Sequence, residues 1–153
     1  MLRIGKLTDY ATVVMAELAG HYGECWSASQ VAEATRLEVP TVAKVLKTLA
    51  RSGLIDSVRG VNGGYRLSEP ADEISVAAII RAMEGPIALT ECGLEPGRCA
   101  RENDCNLKGN WQRIGETVEN ALEALTLADL VAPQDTGLRL VTRTSTVAGE
   151  SGK

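Results

Sequence analysis

Cys92, Cys99 and Cys105 gather three of the four cysteines of this 153-residue chain into one short segment, Cys92-Gly-Leu-Glu-Pro-Gly-Arg-Cys99-Ala-Arg-Glu-Asn-Asp-Cys105. Thiolates are soft ligands that favour iron–sulfur clusters, zinc or cuprous copper. The residues between them hold too few apolar side chains to order the segment by burial, which leaves a metal as its organiser. Structural zinc usually takes cysteines in close Cys-x-x-Cys pairs, whereas gaps of six and five residues wrap something larger, so the spacing favours a cluster over zinc. A thiol–disulfide switch is the third chemistry open to these residues. Cys25, beside Trp26 and far from the triplet, reads as a packed thiol.

The elements that must position this segment lie mostly upstream. Ala11, Val14, Met15 and Leu18 recur at helical spacing and predict a first helix, opened by Thr8 as cap and ended near Gly20 and His21. Ser27 or Ser29 caps a second helix to about Ala34, Thr35 to Val39 is a turn, and Pro40 suits the first turn of a third helix ending at Gly53. On that third helix Val42, Val45, Leu46 and Leu49 form a buried stripe, leaving Thr41, Lys44, Lys47, Thr48 and Arg51 on a polar, cationic face. Leu54 to Arg59 and Tyr65 to Leu67 predict two strands around the turn Gly60-Val61-Asn62-Gly63-Gly64. Three helices followed by such a hairpin predict a winged helix-turn-helix. Its DNA-binding set is Ser27, Ser29 and Gln30 at the start of the second helix, Thr41, Lys44 and Lys47 on the third, and Arg59, Asn62, Gly63, Gly64 and Tyr65 on the wing.

A fourth helix is expected over residues 72–85, with Val76, Ile79, Ile80 and Met83 on one face. Residues 86–106 show no periodicity. From Leu107 an amphipathic pattern resumes, with Trp111, Ile114, Val118, Leu122 and Leu125 along one stripe of about five turns. A helix so remote from the compact core is economically paired with its copy in a homodimer. The organisation expected is therefore a DNA-binding domain at 1–85, a cysteine-rich loop at 86–106, a dimerisation helix and following segment at 107–132, and a flexible tail at 133–153. The fold class is mainly α with a small β-hairpin wing.

Charge supports that division. Residues 1–66 carry 8 Lys/Arg against 6 Asp/Glu, net +2, while residues 67–153 carry 8 against 14, net −6. Screening confines each field to about 10 Å, so a basic N-terminal face can meet double-stranded DNA although the whole chain is acidic. No signal peptide or membrane span is visible, which predicts a cytoplasmic protein with reduced thiols. There is no phosphate-cradling loop and no Ser/His/Asp set, and the single histidine leaves little for catalysis, so neither an enzyme nor a small-molecule substrate is expected. A zinc-stabilised dimeric module that does not bind DNA is the alternative class.

Leu7-Thr8-Asp9-Tyr10-Ala11, the wing Val58-Arg59-Gly60-Val61-Asn62-Gly63-Gly64-Tyr65-Arg66-Leu67, the three-cysteine loop and Thr126-Leu127-Ala128-Asp129-Leu130 together resemble the Rrf-type family of bacterial winged-helix regulators, the IscR/NsrR/RirA-like group. The resemblance covers about residues 1–132 and is nearest to the regulators of iron–sulfur cluster assembly by the SUF system. It implies a homodimeric transcription factor, expected to act as a repressor, whose DNA binding responds to a 2Fe-2S or 4Fe-4S cluster held by Cys92, Cys99 and Cys105. The fourth ligand departs from the IscR-like pattern: Lys108 stands where a histidine would be, and a protonated ammonium cannot ligate. In NsrR-like members an aspartate near the start of the first helix reaches the partner's cluster, and Asp9 occupies that place. The helix dipole alone would also account for a carboxylate there.

Overall fold

The computed structural model describes residues 3–94, 97, 99, 100 and 104–133. Its elements in order are α1 (Lys6–Gly20), α2 (Ala28–Thr35), α3 (Val39–Arg51), β1 (Ile55–Val58), β2 (Gly64–Leu67), α4 (Val76–Glu84), α5 (Glu91–Leu94), α6 (Lys108–Glu123) and α7 (Leu127–Val131). The tail expected from residue 134 onward lies outside the described residues. None of the described helices is long and apolar enough to cross a membrane.

α1 buries Ala11, Val14, Met15 and Leu18, and α3 buries Val42, Val45, Leu46 and Leu49 against them. With no phenylalanine in the chain, this core depends on close contact among aliphatic side chains from every neighbouring element. Val31 enters from α2, Ile55 and Leu67 from the hairpin, and Ile74 and Ile79 from the segment around α4. β1 and β2 are antiparallel, with Ile55 opposite Leu67 and Val58 opposite Gly64. Trp26 adds a bridge outside β2, its N–H donating to the Tyr65 carbonyl at 2.9 Å and its carbonyl accepting from Tyr65 N at 2.8 Å.

The wing glycines serve this packing directly. A Cβ on Gly64 would lie 2.6 Å from the Trp26 carbonyl oxygen, and one on Gly63 would lie 2.3 Å from the Val58 carbonyl oxygen. Their missing side chains are required by the protein's own backbone, whatever they permit to a DNA wall. Positive φ falls at Gly60 (118°), where no neighbour crowds the Cβ position.

Three sequence expectations change. Thr8 does not cap α1: Gly5 is the N-cap, without a side chain of its own, and Thr8 lies inside the first turn at 1% exposure. The missing cap comes from α4, where one Glu84 carboxylate oxygen accepts from Gly5 N and from Thr8 Oγ1, both at 2.6 Å. The fourth helix begins at Val76, not residue 72, because Ile74 and Ser75 are held extended against the chain beyond α6. Val76 N donates to the Leu125 carbonyl and Leu127 N to the Ile74 carbonyl, each at 2.8 Å. Ser75 then caps α4 by accepting from Ala78 N at 3.0 Å.

The third change concerns the long C-terminal stripe. α6 ends at Glu123, and Leu125, expected on the dimerisation stripe, sits half-buried in the connection. A reciprocal capping box starts a new helix: Asp129 N donates to Thr126 Oγ1 at 3.2 Å, and Thr126 N donates to Asp129 Oδ2 at 2.8 Å. α7 then packs on α1, and Leu127, with no exposed surface, joins the core of the DNA-binding unit.

Candidate nucleic-acid interface and cysteine segment

α2, its turn and α3 form the helix-turn-helix, positioned by the buried stripe of α3 and by Val31 and Ala32 of α2. Lys44 and Lys47 are exposed on the outer face of α3, and Thr41 is half-buried nearer its N-terminus. Neither lysine has an ion-pair partner among the described residues, so both charges remain available to phosphates. Thr48 turns its hydroxyl inward to the Lys44 carbonyl at 3.1 Å.

At the start of α2 the sequence candidates divide. Ser27 and Gln30 form a capping box, Gln30 N donating to Ser27 Oγ at 3.2 Å and Ser27 N donating to Gln30 Oε1 at 2.9 Å. Their acceptor oxygens are thus engaged, while the Ser27 hydroxyl proton and the Gln30 amide N–H groups can still donate outward. Ser29 is exposed beside them, and together they place donors at a helix N-terminus, an arrangement suited to a phosphate.

On the wing, Arg59 and Asn62 are exposed. Tyr65, expected at the DNA, packs its side chain against the core. The tip residue Val61 is completely exposed, at 104%, and was missed from the sequence because apolar residues in a turn carry no charge signature. Such an apolar tip suits shallow insertion into a groove. Arg66 turns instead to Asp56 at 3.6 Å across the hairpin.

The cysteine segment is rooted between α4 and α6. Glu84, whose carboxylate holds the α1 N-terminus, immediately precedes Gly85 and Pro86, and Cys105 stands three residues before the start of α6. Hydrogen bonds from Thr8 and the Gly5 backbone hold the Glu84 carboxyl below its ordinary range, against a smaller opposing effect of burial. Residues 86–106, read as aperiodic, contain the short helix α5, which packs against α6 and carries Cys92. The Cys92 side chain lies outside the described residues. Cys99, Cys105 and Cys25 are half-buried free thiols. Asp9 is exposed in the first turn of α1. Among the described residues no three His, Cys, Asp or Glu side chains converge as a metal site. The donor set that sequence proposes is therefore not assembled by the described part of one chain.

α6 is tied to the winged helix by Arg81 of α4, whose guanidinium donates to Glu119 at 2.7 Å and also to Glu123. These bonds, the Glu123 bond foremost, raise the Arg81 pKa above its already high value. No α6 residue is buried, and Trp111 and Ile114 are 43% and 45% exposed. Val118 and Leu122 are half-buried.

The three-helix core, hairpin wing and unpaired cationic face of α3 define a winged-helix DNA-binding protein. Residues 4–133 match the sequence profile of Rrf2, described as an iron-dependent transcriptional regulator, and the chain belongs to the Rrf2 family. It is a transcription regulator and not an enzyme, as members of that family are. Protein aau3 of Rhizobium meliloti (strain 1021) is 30% identical over 132 residues, covering 85% of each chain. Among solved structures, CymR (YrzC), the global cysteine regulator of B. subtilis, has a TM-score of 0.68 at 31% identity, over 86% of this chain and 97% of that one. T. potens IscR has a TM-score of 0.65 at 28% identity, over 88% of this chain and 91% of that one.

Proposed function

We propose that this regulator senses iron–sulfur cluster status and controls genes of cluster assembly, the SUF system, or of iron and redox homeostasis, as a homodimeric repressor. The carrying observation is the place of the cysteine segment, bounded by the α4 residue that grips α1 and by the foot of α6. Cys92, Cys99 and Cys105 would hold a 2Fe-2S or 4Fe-4S cluster, with Asp9 of the partner subunit as fourth ligand. Three thiolates supply the softness such a cluster requires, and an exposed carboxylate would complete the set as a harder, anionic fourth donor. When bound, it supplies an iron- and redox-dependent cross-link that the chain cannot make by burial.

The chain's own residues convert that cross-link into a change in DNA affinity. Arg81 fixes α6 against α4, Glu84 fixes α1 against α4, and α6 offers Trp111 and Ile114 to a second copy. A cluster held by the segment between α4 and α6 then selects one separation of the two recognition helices in the dimer. Coupling of this kind is typically worth about 1–3 kcal/mol, a change of about 5- to 150-fold in DNA affinity.

Anaerobic purification, absorption spectroscopy and iron and sulfide analysis test the reading. Visible absorption with stoichiometric iron and sulfide is expected. Colourless protein containing zinc alone, or a reversible disulfide among these cysteines with no iron, would sink it.

A further inference from the structure

Arg36 stands in the left-handed region, at φ 58° and ψ 29°, as the residue that ends α2 and turns the chain toward the recognition helix. It is the sole non-glycine residue with positive φ among the described residues. The left-handed conformation costs a residue bearing a Cβ about 1–2 kcal/mol, and glycine or asparagine would adopt it more easily. The geometry is imposed from both sides. Leu37 N donates to the Ala32 carbonyl at 3.2 Å and its side chain packs on the core, while Arg36 N donates to the Glu33 carbonyl at 3.4 Å.

Among the described residues the exposed side chain has no ion-pair partner that would explain an arginine, although Glu33 and Glu38 lie three residues before it and two after. Because Leu37 faces the core, Arg36 projects from the outer side of the turn, two residues before the Glu38 N-cap of α3. In a helix-turn-helix the N-terminal end of the recognition helix enters the major groove, which brings this turn level with the flanking phosphates. Strain held at a functional site is retained when the side chain it carries is needed there.

We infer that Arg36 is a DNA-backbone contact: its guanidinium meets a phosphate at the edge of the groove that α3 enters, and sets the depth of the recognition helix without reading bases. Such a contact contributes equally to every sequence and adds to the salt dependence of binding.

The test uses the full-length protein and a fluorescently labelled duplex of arbitrary mixed sequence, by anisotropy over a salt series, with thermal melting alongside. Arg36→Gly should raise Tm by about 2–4 °C through relief of the backbone strain. The same variant should weaken binding and lower the slope of log K against log salt by about 0.9 for each bound copy, so that affinity falls about threefold less between 50 and 200 mM salt. Arg36→Asn, suited to the same backbone but uncharged, should lose the same slope, and Arg36→Lys should retain it. Lys44→Ala on the same duplex separates the two possible failures. A parental slope in Arg36→Gly and Arg36→Asn, with a reduced slope in Lys44→Ala, would overturn the contact while leaving the interface in place. Parental slopes in all of them would overturn the interface as well.

Discussion

Replacing Glu84 with alanine should destabilise the chain more than any surface position on α4 would suggest. The carboxylate caps α1 from 79 residues away through Gly5 N and also satisfies the Thr8 hydroxyl, which is 1% exposed. Losing a helix cap costs about 1 kcal/mol. Leaving a buried hydroxyl unpaired adds about 1–3 kcal/mol. Together these predict a loss of about 2–4 kcal/mol in urea unfolding followed by circular dichroism at fixed protein concentration, with the m-value unchanged. Thr8→Val removes the hydroxyl that needs a partner, so the pair should couple by about 1–2 kcal/mol in a double-mutant cycle. The folded-state pKa of Glu84 is depressed, so its ionic contribution is present above the unfolded carboxylate value of about 4.3 and is lost as pH falls through the lower folded value. Solvent exposure limits that contribution to about 1 kcal/mol. Parental protein should therefore lose stability more steeply than Glu84→Gln in the acid range. A loss below about 0.5 kcal/mol in Glu84→Ala, or additive effects in the cycle, would refute the cap.

Leu127→Ala should cost about 2–5 kcal/mol in the same assay, because a side chain with no exposed surface leaves a cavity in the winged-helix core. Gly64→Ala should lower Tm sharply and broaden the amide spectrum of the wing, since its Cβ would lie 2.6 Å from a backbone oxygen of Trp26. Trp111→Glu together with Ile114→Glu should leave the helical signal intact and shift the mass in light scattering from dimer to monomer; an unchanged mass would remove α6 as the dimer interface. Asp9→Ala should alter the spectrum or shorten the lifetime of the anaerobically isolated cluster, and identical spectra and lifetimes would return Asp9 to a helix-dipole role.

The recognition helix was legible because its stripe obeys one period: Val42, Val45, Leu46 and Leu49 are all buried at 0% exposure, and the cationic side chains fall outside. The hairpin itself, and a serine cap at Ser27 or Ser29, were legible for the same local reason, since turn and cap chemistry act within a few residues; the register and the choice of Ser27 came from the structure. Thr8 was misread because cap propensity alone cannot distinguish a hydroxyl at a helix end from one inside the first turn. The wing glycines were assigned to DNA approach, while the close contact they permit is with the chain itself. Arg36 left no sequence signal at all, for arginine carries no expectation of positive φ.

Sequence by itself determined the winged helix-turn-helix, the cationic face and the thiol-rich segment, because each depends on side-chain type and short-range spacing. Only the tertiary structure decided that Glu84 completes α1, that Leu127 returns to the core beyond α6, and that a strained arginine turns the chain into α3. Those are contacts between residues far apart in sequence, or backbone angles imposed by packing on both sides. No local pattern encodes them, since the free energy that selects them exists only once the core has closed.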